Sequence, residues 1–251
     1  MSRPSCRAAA LAAALLLAPV FAFAQADYAR ERRWAEEVVP AIVVGDPVWL
    51  TLASGRRFLA IYARDRAARH GVVVVHGSGV HPDWGLINIL RSRLAEQGYA
   101  TLAVQMPVLA ADARPADYAA TFPEAAQRLA AAVEYLRGKG FQPAAIVSHS
   151  MGARMSDYFL SATADPGIAA WVAIGLPGDF SDPGKLRLPV LDLYGANDLA
   201  AVRDNAPRRA AALAHLRGSA QVEVDGADHF FDGHESDLVQ WTRRFLDRAL
   251  R

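Results

Sequence analysis

Cysteine is almost absent from this sequence, and its scarcity excludes several kinds of chemistry. Cys6 is the only cysteine among 251 residues, and it precedes the first long apolar run. A single thiol cannot form an internal disulfide, and a lipid-bearing cysteine would follow the apolar run rather than precede it. We therefore expect no disulfide framework, no thiol catalysis and no lipid anchor at Cys6.

An excess of charge of one sign is also lacking. The chain has 27 Lys and Arg residues against 26 Asp and Glu residues, which gives a formal net charge of +1. Proteins that bind nucleic acid usually concentrate their basic residues, whereas here both signs are scattered along the chain. We expect no nucleic-acid partner. Because 53% of the residues are hydrophobic, the composition favours one domain with a sizeable core.

Long hydrophobic runs are confined to the N-terminus. After two arginines, residues 8–20 carry no charge, and Ala-Phe-Ala follows, ending at Ala24. The run is shorter than a stable membrane-spanning helix needs, and its small terminal residues are typical of a signal-peptidase site. We predict a signal peptide over residues 1–24, one domain over 25–251, a periplasmic or secreted location, and no stable membrane anchor after cleavage. A retained N-terminal anchor is the alternative.

The rest of the sequence alternates between apolar strands and amphipathic helices. A helix over 27–39 precedes a hairpin near 47–64, and the β-branched run at 71–77 is typical of a strand buried on both faces. Strands and helices then alternate to the C-terminus, with one helix expected over 201–218. The pattern predicts an α/β fold with a mostly parallel central sheet, helices on both faces and an N-terminal antiparallel hairpin.

Two loops are expected to shape a site on this sheet. Residues 106–122 form the longest irregular segment, and loops of that length are usually functional or mobile. Residues 178–187 are too few for a large lid domain. We therefore expect an open site with a mostly apolar lining, which favours a neutral substrate of modest size.

Polar residues follow four of the predicted strands. They are His76-Gly77-Ser78-Gly79, Ser148-His149-Ser150-Met151-Gly152, Asn197-Asp198 and Asp228-His229. In an open α/β sheet, ligands gather at the carboxyl ends of the strands. A serine hydroxyl becomes an effective nucleophile when a base takes its proton and a third group orients that base. We predict that Ser150, His229 and Asp198 form such a catalytic triad.

Steric demand selects Ser150 over Ser148 as the nucleophile. A nucleophile on a sharp strand-to-helix turn needs small residues two positions before and after it. Ser148 and Gly152 satisfy this for Ser150, whereas Ser148 would have the bulky Ile146 two positions before it. We therefore expect Ser148 to replace a glycine without spoiling the turn.

Other titratable residues compete for the same roles. Asp192 lies inside a predicted strand and favours a structural role, and Asp228 precedes the predicted base without any guarantee of geometry. His234 is the second choice for the base. A metal held by histidines and aspartates is disfavoured, because no ligand spacing such as H-E-x-x-H occurs.

The order Ser150, Asp198, His229 resembles that of the α/β-hydrolase superfamily, and the resemblance extends from the hairpin near Pro47 to the last helix. The segments VHGSGVHPDW, SHSMGARMSDYF, LDLYGANDL and GADHFFDGHE are similar to those of a family of exported bacterial α/β-hydrolase-like proteins of unknown function. The resemblance implies the α/β-hydrolase fold and supports the triad, but it implies no substrate. Ser148 is the departure from the superfamily pattern.

The resemblance also implies an oxyanion hole. One backbone N–H would come from Met151 and another from the loop after the first parallel strand, at Ser78 or at Gly79. Flanking residues are candidates for contact with the substrate: His76, Trp84, Met106 and His149. Trp84 packing at a helix entry is an equally good interpretation.

These features together predict a carboxylesterase-like serine hydrolase that cleaves a small-molecule ester or thioester and needs no cofactor and no metal. A non-catalytic envelope binding protein that retains the fold is the alternative from another class. A peptidase or acyltransferase with the same triad is a third interpretation, although we identify no charged anchors for a peptide terminus. No pattern indicates an oligomeric state.

Overall fold

The structure, a computed structural model, describes residues 26–251. The signal peptide predicted for residues 1–24 lies outside the described residues. The strands are β1 Asp46–Thr51, β2 Arg57–Arg64, β3 His70–Val75, β4 Tyr99–Val104, β5 Ala144–His149, β6 Ile168–Ile174, β7 Val190–Gly195 and β8 Ala220–Val224. The helices are α1 Tyr28–Val38, α2 Gly85–Glu96, α3 Phe122–Gly138, α4 Met151–Ala162, α5 Ala200–Arg203, α6 Ala206–Leu213 and α7 Glu235–Ala249.

All eight strands form one sheet in the order β1-β2-β4-β3-β5-β6-β7-β8. β1 pairs with β2 and β2 pairs with β4 in antiparallel orientation. The remaining neighbours are parallel. The mostly parallel sheet and its N-terminal antiparallel hairpin are therefore confirmed. Its parallel strands carry their C-terminal ends along one edge, which is where the sequence predicts the polar residues.

The core consists of two layers, one on each face of the sheet. Within β3, Val73 and Val75 pack on the face covered by α3 and α4, whereas Val72 and Val74 pack on the face covered by α1, α2 and α7. Successive side chains of a strand point to opposite faces, so a strand covered on both sides needs an unbroken apolar run. The sequence of β3 meets this need.

The helix expected over 201–218 is divided in the structure. α5 ends at Arg203, and α6 begins at Ala206 with Pro207 in its first turn. Proline has no N–H to donate to the preceding turn, so it is tolerated at the start of a helix but not inside one. A single continuous helix was therefore the wrong prediction.

Helix α1 is fastened to the loop that follows β4. The Asp27 N–H donates to the Val108 carbonyl at 2.7 Å. The Val108 N–H donates to the Glu31 carboxylate at 3.3 Å. Glu31 in turn forms a buried ion pair with Arg128 of α3 at 2.9 Å. The loop of residues 106–122 is thus held from its N-terminal side by α1.

Within residues 26–251, no helix is long and apolar enough to cross a membrane.

Candidate active site

Ser150 occupies the sharp turn between β5 and α4. Its backbone has φ 55° and ψ −122°, a combination that costs a residue with a side chain on the order of 1–3 kcal/mol. The turn is maintained because the Ser150 N–H donates to the Ile174 carbonyl at 2.9 Å and its own carbonyl accepts the Ala153 N–H. The strain presents the hydroxyl above the end of the sheet, at the N-terminus of α4.

The two small residues of the turn have different functions. A Cβ at Gly152 would lie 2.3 Å from the His76 carbonyl oxygen, so no side chain is tolerated there. Ser148 is buried, and its hydroxyl accepts a hydrogen bond from the Trp171 indole N–H at 2.8 Å. Ser148 is therefore a hydrogen-bond partner as well as a small residue.

Ser150, His229 and Asp198 form one hydrogen-bonded chain. The His229 Nε2 lies 3.0 Å from the Ser150 hydroxyl oxygen, and the His229 Nδ1 lies 2.6 Å from the Asp198 Oδ1. Asp198 also accepts the Leu199 N–H at 2.6 Å. A carboxylate accepts only, so His229 carries its proton on Nδ1 and leaves Nε2 free to accept from the serine hydroxyl. The arrangement can make a serine nucleophilic, although the catalytic roles themselves stay predictions.

The hydrogen-bonded chain runs from a buried carboxylate to a partly exposed hydroxyl. Asp198 is 3% exposed and His229 is 7% exposed. Ser150 is only partly buried. Water is therefore excluded from the acid and from most of the base, whereas a substrate can reach the hydroxyl.

The loop after β3 lies directly beside Ser150. A Cβ at Gly77 would lie 3.2 Å from the Ser150 Cβ. Among the described residues, the N–H groups of Ser78, Gly79 and Met151 have no protein acceptor. Free N–H groups next to a nucleophile are the donors that an oxyanion hole requires. The choice between Ser78 and Gly79 stays open.

The predicted substrate contacts of His76 and Met106 are wrong, because neither side chain is available to a substrate. Both are fully buried. The Met106 N–H donates to the His76 Nε2 at 2.8 Å, so the other ring nitrogen carries the proton and donates to the Gly77 carbonyl at 2.8 Å. Burial lowers the pKa of His76 to about 3, which keeps the ring neutral. His76 positions the loop beside Ser150 rather than binding a ligand.

His149 is likewise a positioning residue rather than a substrate contact. Its side chain is buried, and burial together with the nearby His229 lowers its pKa to about 3. The His149 Nε2 donates to the His229 carbonyl at 2.9 Å. The residue before the serine therefore holds the backbone of the histidine that the serine contacts. The sequence predicts a substrate contact for His149 instead, and it does not reveal this partner.

Trp84 forms part of an aromatic wall beside His229. Its ring packs edge-on against Phe230 with centroids 5.4 Å apart, and Phe230 packs in the same way against His229 at 5.2 Å. Phe230 is 42% exposed, which is unusual for a large apolar side chain next to a buried histidine. The predicted contact of Trp84 with a substrate is compatible with this position and stays a prediction. Sequence analysis missed Phe230, although it directly follows the predicted base.

The competing residues have other partners. Asp192 accepts from the buried Arg209 at 2.9 Å. The Asp228 carboxylate accepts the Phe230 N–H at 2.9 Å within its own loop. His234 contacts Asp237 at 3.3 Å. Within residues 26–251, no three His, Cys, Asp or Glu residues lie close enough to hold a metal ion.

Two further residues, which sequence analysis missed, position the loops that carry Asp198 and His229. A Cβ at Gly195 would lie 2.2 Å from the Ala227 carbonyl oxygen, so glycine lets the two loops touch. Phe231 is fully buried and has φ 58°, a conformation that a bulky residue adopts only when packing enforces it. Its ring anchors the loop after His229 in the core.

Comparisons with solved structures show that the chain has the α/β-hydrolase fold. The esterase Pf2001 from Pyrococcus furiosus is 15% identical, with a TM-score of 0.66 over 82% of this chain and 93% of that one. A dienelactone hydrolase from Anabaena variabilis is 20% identical, with a TM-score of 0.64 over 82% of this chain and 97% of that one. A protein of unknown function from Agrobacterium tumefaciens, described as a putative α/β hydrolase, is 18% identical, with a TM-score of 0.64 over 81% and 96%.

A family model matches about a third of the chain. A model described as a protein of unknown function (DUF3530) matches residues 44–127. The matched segment runs from just before β1 into α3 and includes the loop beside Ser150, but not Ser150 itself. No curated protein matches the sequence.

Proposed function

We propose that this protein is an exported serine hydrolase that cleaves an ester or thioester through an acyl-enzyme. The observation that supports the proposal best is the hydrogen-bonded chain from Asp198 through His229 to Ser150, with the serine on a strained turn. An esterase and a dienelactone hydrolase have the same fold. At such low identity they support the fold, so the argument for the activity depends on the geometry of the site.

The proposed reaction has two halves. The Ser150 oxygen attacks the acyl carbonyl carbon while His229 Nε2 takes the hydroxyl proton, and Asp198 stabilises the imidazolium that results. His229 then returns the proton to the leaving alcohol or thiol as the bond to the acyl carbon breaks. A water molecule attacks the acyl-enzyme in the same way and releases the acid and the free serine.

Charge that develops on the carbonyl oxygen needs donors that are fixed before the reaction. In the proposal these are the N–H of Met151 at the N-terminus of α4 and one N–H of the loop after β3. His76 keeps that loop in place through the Gly77 carbonyl, so the donors do not have to reorganise when the charge forms. Removing one such donor usually lowers kcat by about 10²–10³.

Labelling by a fluorophosphonate probe tests the proposal. We expect the folded protein to be labelled at Ser150, the Ser150→Ala variant to take no label, and the Ser148→Ala variant to be labelled. Thermal unfolding checks that each variant is folded. A folded protein without label would overturn the proposal and favour a non-catalytic binding protein. Labelling of Ser150→Ala but not of Ser148→Ala would assign the nucleophile to the other serine.

A panel of esters and thioesters of graded acyl length then defines the reaction. Peptide amides and acyl acceptors other than water are included, because a peptidase or an acyltransferase with the same triad would prefer them. Export is tested separately: the mass of the protein recovered from the periplasm or medium should correspond to a chain that begins at Gln25. Recovery of a chain that still contains residues 1–24 would overturn the predicted cleavage.

A further inference from the structure

Helix α1 brings a positive charge close to the loop that lies beside Ser150. The Arg30 guanidinium has one nitrogen, Nη2, 4.0 Å from where a Cβ at Gly79 would lie. Gly79 belongs to the loop that lies beside Ser150. The sequence does not predict this approach, because strands β1, β2 and β3 lie between α1 and that loop along the chain.

Arg30 is held in place by two contacts of its own. Its other terminal nitrogen, Nη1, donates to the Leu109 carbonyl at 2.8 Å. Its guanidinium also stacks over the Trp34 ring at 4.5 Å from the centroid. The helix that carries both residues is fixed by the Glu31–Arg128 ion pair. The guanidinium is therefore ordered without any ligand, which reduces the entropy lost when an anion binds.

The charge of Arg30 is not neutralised by the protein within the described residues. Among residues 26–251, no carboxylate lies within ion-pair distance of the Arg30 guanidinium, and its Nη2 has no hydrogen-bond acceptor. The nearby acids have other partners: Asp27 accepts the Arg30 backbone N–H at 2.9 Å, and Glu31 pairs with Arg128. A half-buried guanidinium whose Nη2 has no acceptor is suited to binding a carboxylate.

We propose that Arg30 forms an anion subsite and that the protein prefers esters whose acyl chain ends in a carboxylate. This inference depends on the proposed serine hydrolase activity and names its substrate class. It differs from the neutral substrate expected from the loop sequences, because that expectation did not include α1. Arg30 would bind the far carboxylate while the ester carbonyl lies at Ser150.

An upper limit on the distance between Arg30 and Ser150 bounds the length of chain to be tested. Since Gly77 contacts Ser150 and two residues of extended chain span at most ~7 Å, the guanidinium lies within about 17 Å of the Ser150 Cβ. Dicarboxylic acids of medium length fit within this limit. The optimum length therefore reports the distance between the two groups in solution.

The experiment uses p-nitrophenyl half-esters of adipate, pimelate and suberate, each paired with the same compound capped as its methyl ester. We expect kcat/KM of the full protein to be at least about tenfold higher for the charged member at the best length, as one charge-assisted contact at a half-buried site would give. Arg30→Met should abolish this preference and leave the neutral esters within about threefold. Arg30→Lys should restore part of it.

Arg56→Met is the matched control. Arg56 also stacks on a ring of α1, 3.3 Å from the centroid of Tyr28, but it lines a different groove, with Phe58 and Gln105. This variant should keep the preference. A purely structural role for Arg30 would lower the activity on charged and neutral esters alike, and this result would overturn the subsite.

The fluorophosphonate label distinguishes the two proposals. If Ser150 is labelled but charged esters are not preferred, the anion subsite is wrong and the hydrolase remains. If Ser150 is not labelled and no ester is cleaved, both are wrong.

Discussion

Two polar networks in this protein each contain a buried carboxylate, and they end differently. Asp198, His229 and Ser150 form a chain that starts in the interior and ends at a partly exposed hydroxyl. Arg128 forms a closed cluster instead, because its buried guanidinium donates to Glu31, to Glu124 and to the Gln105 carbonyl. The comparison separates a hydrogen-bonded chain with one end open to solvent from a cluster that satisfies its members internally.

The two networks should also differ in what the loss of one member costs. Burial raises the pKa of Glu31, and the adjacent Arg128 opposes this shift. Removing a charge from such a cluster leaves its partner buried and unpaired, so the main consequence is a loss of stability. Removing a member of the open chain should instead affect the reaction and leave the fold almost intact.

The largest expected effect is on the open network. Asp198→Asn can no longer hold His229 with its proton on Nδ1 or stabilise the imidazolium, so we expect kcat to fall by about 10⁴, as the same substitution does in a serine protease triad. The unfolding temperature should change little. Steady-state hydrolysis of the preferred ester together with thermal unfolding measures both quantities. An Asp198→Asn variant with nearly full activity would transfer the role to another acid.

A smaller effect, on stability, is expected in the closed network. Arg128→Met leaves Glu31 buried without its cation, so the free energy of unfolding should fall by about 3–5 kcal/mol. Urea unfolding measures it. Arg93→Met is the control, because it breaks an exposed pair with Glu96, which usually contributes less than about 1 kcal/mol. Equal losses in both variants would contradict the difference between closed and exposed pairs.

The buried histidines predict how stability depends on pH. His76 and His149 have an ordinary pKa of 6.5, and burial lowers it in the folded protein to about 3 in both. The unfolded chain thus binds more protons than the folded one between these values. The stability that each ring contributes is fully present above pH 6.5 and is lost as the pH falls towards 3, at up to about 1.4 kcal/mol per pH unit and histidine.

Urea unfolding across this pH range checks the prediction. His149→Gln should make the decline shallower, whereas His215→Gln, at an exposed position, should not change it. A stability that stays constant from pH 6.5 to pH 4.5 would contradict the neutral, buried state of both rings.

The sequence predicts the parts of this protein that depend on local pattern. Alternating strands and helices identify the sheet, and small residues around Ser150 identify the turn, because both are set by neighbours along the chain. His76 and His149 show the limit. Their positions beside the site were predicted, but a buried bonded ring and a ligand contact look the same in a sequence. Arg30 was missed because its position depends on how α1 packs against the loop of residues 106–122, which is distant in the sequence.

Ser148→Gly gives the smallest expected effect. It tests whether Ser148 serves only as a small residue or also as a hydrogen-bond acceptor. If it needed only to be small, Ser148→Gly would be neutral, but the Trp171 indole N–H would then lose its acceptor in a fully buried position. We expect Ser148→Gly to lower the free energy of unfolding by about 1–3 kcal/mol and to keep activity within an order of magnitude. In a Trp171→Phe background the donor is absent, so the same substitution should cost clearly less. An equal loss in both backgrounds would mean that the cost arises from glycine flexibility in β5, and that the steric requirement alone explains the residue at this position.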